Sequence, residues 1–149
     1  MKLKTKYFGE VEFDMEQAIE FPVGILGFAD ENQFALLPFA ESANSMLCMQ
    51  SVKTPGLAFV LLDPFSFCPD YLPVMQEEEL KEMQAEKAED LYFYVLCAVR
   101  NPVAESTVNM RCPIAVNPHT LKAKQIIMDA GKYEMRQLLS SFDGKQGGA

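Results

Sequence analysis

The residues best placed to do chemistry are two carboxylates, Asp63 and Asp70, in the run Leu57-Ala58-Phe59-Val60-Leu61-Leu62-Asp63-Pro64-Phe65-Ser66-Phe67-Cys68-Pro69-Asp70-Tyr71. Each stands beside a proline. Two carboxylates can act as an acid–base pair when an apolar pocket raises the pKa of one, and Phe65 and Phe67 could wall such a pocket. The competing assignment is simpler: Asp beside Pro starts a turn by accepting hydrogen bonds from nearby backbone N–H groups. The sequence has no GxSxG, HExxH, P-loop or GxGxxG pattern, so no established catalytic motif supports the acid–base reading. Cys48, Cys68, Cys97 and Cys112 form no CxxC, and His119 is the single histidine. A zinc site of the usual composition is therefore not expected. Cys48 and Cys97, inside apolar runs, read as buried thiols, and His119, in Asn117-Pro118-His119-Thr120, as a turn residue. No cofactor or metal is expected, and the acid–base enzyme stands as the alternative to a binding protein.

The same run suits recognition better. Pro64 and Pro69 each remove a backbone donor and hold the preceding residue extended, so the loop is stiff before a partner arrives. Stiffness lowers the ordering cost of binding. Phe65, Phe67 and Tyr71 are large anchors of the kind that carry protein–protein contacts. The proposed partner-binding residues in this loop are Phe65, Phe67, Pro69, Asp70 and Tyr71. At period two, Phe65 and Phe67 point the same way, so core packing or partner contact is expected to cover both.

The elements that must hold this loop are mostly strands. Residues 57–62 are continuously apolar and predict a central strand buried on both faces. The first 16 residues predict a hairpin with a three-residue loop at 8–10. That register sets Tyr7 opposite Val11, Thr5 opposite Phe13 and Leu3 opposite Met15, and pairs Lys6, Lys4 and Lys2 with Glu12, Asp14 and Glu16. Pro22, Gly24 and Gly27 confine 19–28 to a short strand and a packed apolar loop. Further strands are predicted at 34–39, 46–52, 91–99, 106–110, 114–117 and 122–128. Residues 76–90 lack Gly, Pro and β-branched residues and predict a helix. Its outer face carries Glu78, Glu82, Glu86 and Asp90 at i, i+4 spacing, an acidic ridge in which each like-charge pair costs roughly 0.2–0.5 kcal/mol. Residues 132–142 predict a second helix with an apolar stripe of Tyr133, Met135, Leu138, Leu139 and Phe142.

Short strands at close spacing with two short helices predict an all-β, mainly antiparallel, small barrel-like domain over 1–142, followed by a disordered tail at 143–149. The 149 residues, 49% of them apolar, fit one domain with its own core. No apolar run approaches the roughly 20 residues of a transmembrane helix, and the N-terminus leads into polar alternation rather than a signal core. A cytoplasmic, membrane-free protein is expected. The formal net charge of −8 repels phosphate backbones, which disfavours direct nucleic-acid binding and favours basic partners.

Several motifs stand in a recognisable order: Phe21-Pro22-Val23-Gly24-Ile25-Leu26-Gly27-Phe28, Met49-Gln50-Ser51, Phe59-Val60-Leu61-Leu62-Asp63-Pro64-Phe65, Pro69-Asp70-Tyr71, Thr107-Val108-Asn109-Met110-Arg111-Cys112-Pro113-Ile114, Val116-Asn117 and Gln125-Ile126-Ile127. In this order the chain resembles the flagellar assembly factor FliW family from about Leu3 to Phe142. Met49 stands where that family commonly has Leu, and Cys112 where it has a small residue. The resemblance implies a cytoplasmic, non-enzymatic β-barrel protein with two competing partners. One is flagellin, held before export; the other is the RNA-binding translational regulator CsrA, which represses flagellin translation. A monomer is the expected state. The acidic ridge is no family motif. Its proposed role is to oppose RNA by repulsion when the chain sits beside CsrA, with Glu78, Glu82 and Glu86 contributing to that field.

Overall fold

Alternating apolar residues and frequent turn residues build a structure dominated by short strands. The computed structural model of the chain describes residues 1–39, 46–129 and 131–142. The tail expected at 143–149 lies outside the described residues. Strands β1 (Lys2–Lys4) and β2 (Glu10–Glu12) form the N-terminal hairpin. β3 (Ile19–Glu20), β4 (Gln33–Pro38), β5 (Met46–Ser51) and β6 (Ala58–Leu62) follow. After helix α1 (Glu77–Glu82) come β7 (Tyr92–Ala98), β8 (Thr107–Val108), β9 (Ile114–Val116), β10 (Ala123–Gln125) and β11 (Gln137–Leu138).

The main sheet runs β10-β9-β7-β6-β5-β4-β3, with every neighbouring pair antiparallel. Its two ends meet. Glu20 bridges Lys122 in parallel, the Glu20 N–H donates to the Leu121 carbonyl at 2.8 Å, and the Glu20 and Lys122 side chains form an ion pair. The sheet thereby curls into a barrel and leaves little free edge. Phe21, Phe34, Met49, Leu61 and Ile114 are fully buried in the core inside it, so large apolar side chains fill the interior.

β7 is the hinge of the architecture. Its first half pairs with β9 and its second half with β8, while β6 lies along the other side. Tyr94 and Leu96 pack on the barrel core. The alternate residues Phe93, Val95 and Cys97 face outward into two further clusters. One is covered by the 63–71 loop and the C-terminal segment, and the other by α1 and its flanks. Two-sided burial thus belongs to β7. In β6, where it was expected, only Leu61 is fully buried and its neighbours are half-buried. Cys48 is buried as expected, but Cys97 is only half-buried.

Three local expectations are corrected. The hairpin pairs Leu3 with Val11, Lys2 with Glu12 and Lys4 with Glu10, not Leu3 with Met15. Thr5 makes the difference: its N–H and hydroxyl both donate to the Gly9 carbonyl, at 2.9 and 2.7 Å, and its hydroxyl accepts from the Phe8 N–H at 2.9 Å. This closes a longer turn over 5–9. Lysines still oppose glutamates because the register moved by an even number. Lys6, however, leaves the hairpin, and its N–H donates to the buried Gln50 side chain at 2.9 Å.

The helix expected over 76–90 stops at Glu82. Gln84 takes the left-handed conformation (φ 56°), its N–H donates to the Lys81 carbonyl at 3.0 Å, and the Ala85 N–H donates to the Leu80 carbonyl at 2.9 Å. This is a Schellman C-cap with Gln where Gly is usual. The buried Asn117 side chain secures it by donating to the Met83 carbonyl at 2.7 Å.

The helix expected over 132–142 does not form. That segment runs extended, pairs β11 with β8, and ends in a 3-10 turn at Leu139–Phe142. The Glu134 carbonyl accepts from the Met110 and Arg111 N–H groups at 3.0 and 3.2 Å. Covering the edge of β8 and burying Phe142 outweigh the helix propensity of the segment.

Candidate partner-binding surface

The loop after β6 is locked by its own residues. Asp63 accepts from the Phe65 N–H at 2.9 Å, capping a 3-10 turn at Pro64–Ser66 whose first position is the buried Pro64. The Ser66 hydroxyl donates to the Asp63 carbonyl at 2.7 Å, and the Cys68 and Tyr71 N–H groups return to Pro64 and Cys68, both at 2.9 Å. Pro64 opens the turn and Asp63 caps it.

A 3-10 turn does not alternate side chains as a strand does, so Phe65 and Phe67 diverge. Phe65 is 41% exposed. Phe67 is half-buried, its ring edge-on to Phe142 at 4.9 Å. The expectation of one shared fate is therefore corrected. Tyr71 is 3% exposed, and its hydroxyl donates to the Met110 carbonyl at 2.5 Å. Its ring meets Tyr133 edge-on at 4.8 Å and lies under Phe65 at 5.9 Å. Burial, and secondarily the neighbours Tyr133, Cys68 and Cys112, push the Tyr71 phenol far above its ordinary value. Tyr71 is a structural post rather than a partner anchor. A tyrosine can fill either role, and only the distant Met110 carbonyl decides between them.

Pro69 and Asp70 are exposed. Asp70 stands 3.9 Å from Lys132 and accepts from the Cys68 thiol at 3.5 Å. Asp63 lines a cleft beside Phe65, and Asp70 does not. Asp63 is engaged by the turn it caps, and Asp70 by Cys68 and Lys132.

The acidic ridge is shorter than expected. Glu78 and Glu82 share one face of α1, but Glu82 pairs with Lys124 at 2.9 Å. Glu86 lies beyond the helix end, in a turn whose Glu86 and Lys87 N–H groups donate to Asp90 at 3.3 Å. Glu78, Glu82 and Glu86 remain exposed, without forming one continuous line.

Two exposed apolar side chains line the clefts beside Phe65: Leu72, 69% exposed, and Tyr92, 59% exposed. Val74 and Ile127, also more than half exposed, line a separate cleft that Leu72 shares. The signal was present in Tyr71-Leu72-Pro73-Val74, where a proline forbids a central strand and leaves alternate apolar residues facing out. The Leu72 N–H donates to the Tyr133 hydroxyl at 3.1 Å, so this extension is also tied down. A second apolar surface lies on the 21–28 loop, where Val23 is 71% exposed.

The fold and its motifs have counterparts in known proteins. The family model described as FliW protein matches residues 2–139. A flagellar assembly factor FliW from Geobacillus thermodenitrificans is 36% identical over 139 residues, covering 93% of this chain and 95% of that protein. The Bacillus velezensis protein of the same name is 37% identical over 139 residues, at 93% and 96% coverage. The Oceanobacillus iheyensis one is 30% identical over 148 residues, at 99% of each chain. A crystal structure of the flagellar assembly factor FliW superposes with a TM-score of 0.85 at 34% identity, covering 93% of this chain and 96% of the other. Agreement in family model, sequence and three-dimensional structure over nearly the full length places the chain in the FliW family.

Proposed function

We propose that this chain is a flagellar assembly factor that holds flagellin in the cytoplasm before export. Once flagellin leaves, the freed chain binds the translational regulator CsrA and relieves repression of flagellin translation. Membership of the FliW family over residues 2–139 carries this reading. Two features support it. Phe65 is an exposed aromatic on a loop locked in advance, which lowers the ordering cost of docking. The net charge of −8 suits a partner whose RNA-binding surface is basic. No helix among the described residues is long and apolar enough to cross a membrane.

The charge also supplies a mechanism. An acidic chain bound beside the RNA site of CsrA opposes RNA through its field without occupying that site. Glu78 and Glu82 on α1 and Glu86 in the following turn are the side chains assigned to this role. Reversing all three to Lys is expected to weaken release of RNA and to flatten the salt dependence of antagonism. Antagonism that is unchanged across a salt titration of the unaltered protein refutes the electrostatic part.

Size-exclusion chromatography tests the function itself. The protein is mixed with flagellin and with CsrA, separately and together. A complex with each, and exchange of one for the other, are expected, with the free protein eluting as a monomer. Absence of a complex with either partner overturns the reading.

A further inference from the structure

Two clefts meet at the exposed ring of Phe65. The first, about 450 Å³, runs from Leu47, Tyr92 and Tyr94 at one end of the barrel to Asp63. The second, about 390 Å³, continues past Tyr71 to Leu72, Pro73, Ala88 and Glu89. Leu91 and Phe93, both buried, floor the two together. The charged residues lining this double cleft are Asp63 and Glu89, and no Lys, Arg or His lines it among the described residues.

We propose that the double cleft docks a partner segment whose apolar side chains are flanked by Lys or Arg, the apolar residues seating on either side of Phe65 and the cations reaching Asp63 and Glu89. The inference rests on the proposed function, because it assigns a surface to one of that function's partners.

Charge selects the occupant. A purely apolar segment would strip water from two carboxylates and return no counter-charge. An acidic segment would add repulsion. A basic segment compensates both carboxylates, and its cations can also lie against the faces of Phe65 and Tyr92. The surface is ready to receive it, because Asp63 caps the Phe65 turn and Tyr133 holds Leu72.

The contrast with the cleft of about 550 Å³ at the end of α1 sharpens the assignment. Pro22 and Val23 line that cleft beside Lys81, Lys122 and Lys124. Lys122 pairs with Glu20 and Lys124 with Glu82, so its charges are largely answered from within the chain.

Titration calorimetry at low and high salt tests the assignment. Flagellin and CsrA are each titrated into the unaltered protein, Phe65→Ala, and the double variant Asp63→Asn/Glu89→Gln. Asn keeps the acceptor that caps the turn, and thermal melts monitor the fold. For one partner, Phe65→Ala is expected to weaken binding about tenfold or more. The double variant is expected to weaken it at low salt and to flatten its salt dependence. Full affinity of every variant for a partner that the unaltered protein binds overturns the cleft as a docking site. A loss with Phe65→Ala but an unchanged salt slope in the double variant overturns the basic character of the segment. If the unaltered protein binds neither partner, the proposed function fails rather than the cleft assignment.

Discussion

The 21–28 loop and the 63–74 loop solve one problem in two ways. Each must leave a strand, return some apolar side chains to a core and hold others in water. In the first, Phe21 and Ile25 are buried in the barrel core while Val23 and Leu26 face out. In the second, Pro64, Cys68 and Tyr71 are buried while Phe65 and Leu72 face out. The means of locking differ. The 21–28 loop is fixed by close backbone packing at Gly24 and by two carboxamides: Asn32 donates to the Phe21 carbonyl at 2.8 Å, and Gln125 accepts from the Leu26 N–H at 2.9 Å. The 63–74 loop is fixed by an aspartate cap, prolines and two tyrosine hydroxyls. Their surroundings differ as well, with lysines beside Val23 and carboxylates beside Phe65. Exposed apolar residues on a locked loop are therefore common to both, and local charge sets the two surfaces apart.

The largest effect is expected where the lock has no room. Gly24 has φ 71°, and a Cβ there would stand 2.6 Å from the Ala29 backbone. Gly24→Ala combines left-handed strain with a backbone clash and is expected to cost about 3 kcal/mol, read as a fall in denaturation midpoint. A loss below about 1 kcal/mol would mean that the loop yields, and the contrast between the two locks would weaken.

The second effect separates inward from outward residues within the 63–74 loop. Tyr71→Phe removes the hydroxyl bonded to the Met110 carbonyl and leaves a buried acceptor behind. It is expected to lower stability by about 1–2 kcal/mol while leaving partner affinity nearly unchanged. Phe65→Ala, at an exposed position, is expected to do the reverse. Equal losses of stability in the two variants would erase the distinction between post and anchor.

Much of this was legible in the sequence. Strands from β3 to β10 fall where apolar runs and turn residues put them, because burial and turn chemistry are local signals. Three of the failures share a cause. Residues 132–142 have helix propensity, yet β8 needed an edge partner. Residues 83–90 lack helix breakers, yet Asn117 takes the Met83 carbonyl from across the fold. Tyr71 resembles an anchor until Met110 is brought beneath its hydroxyl. At the candidate site the proline-bounded loop and the turn role of Asp63 were readable, but which of Phe65 and Phe67 faces out, and the exposure of Leu72 and Tyr92, were not. Their exposure depends on which neighbours failed to cover them, and one-dimensional spacing cannot supply that.

The third effect concerns the foot of the 21–28 loop. Glu31, whose N–H donates to the Phe28 carbonyl at 3.1 Å, is buried and accepts from the hydroxyls of Ser51 and Thr54. Burial acts to raise its carboxyl, but the two hydroxyls and the Lys53 charge outweigh this, and the net displacement is below the ordinary value of 4.5. A carboxyl lowered by folding stabilises the fold fully above its unfolded pKa, and that contribution is lost as pH falls through the folded one. Stability is therefore expected to decline below about pH 4.5, more steeply than in Glu31→Gln. Parallel denaturation curves for the two proteins across that range would remove Glu31 from the lock.

The smallest effect lies where α1 meets the 21–28 loop. Gln84 lines the cleft with Pro22 and Val23, and it holds φ 56° at the end of α1. An L-residue with a Cβ pays steric strain in that conformation, whereas glycine does not. The backbone bonds of the cap, from Gln84 to Lys81 and from Ala85 to Leu80, involve no side-chain atom of Gln84. Gln84→Gly therefore keeps the cap, relieves the strain and is expected to raise stability by up to about 1 kcal/mol, measured by chemical denaturation. It also leaves Asp63, Phe65 and Glu89 untouched, so affinity at the Phe65 cleft should not change. A shift in that affinity would show that the two loops are coupled through α1, and that the barrel does not hold them as independent surfaces.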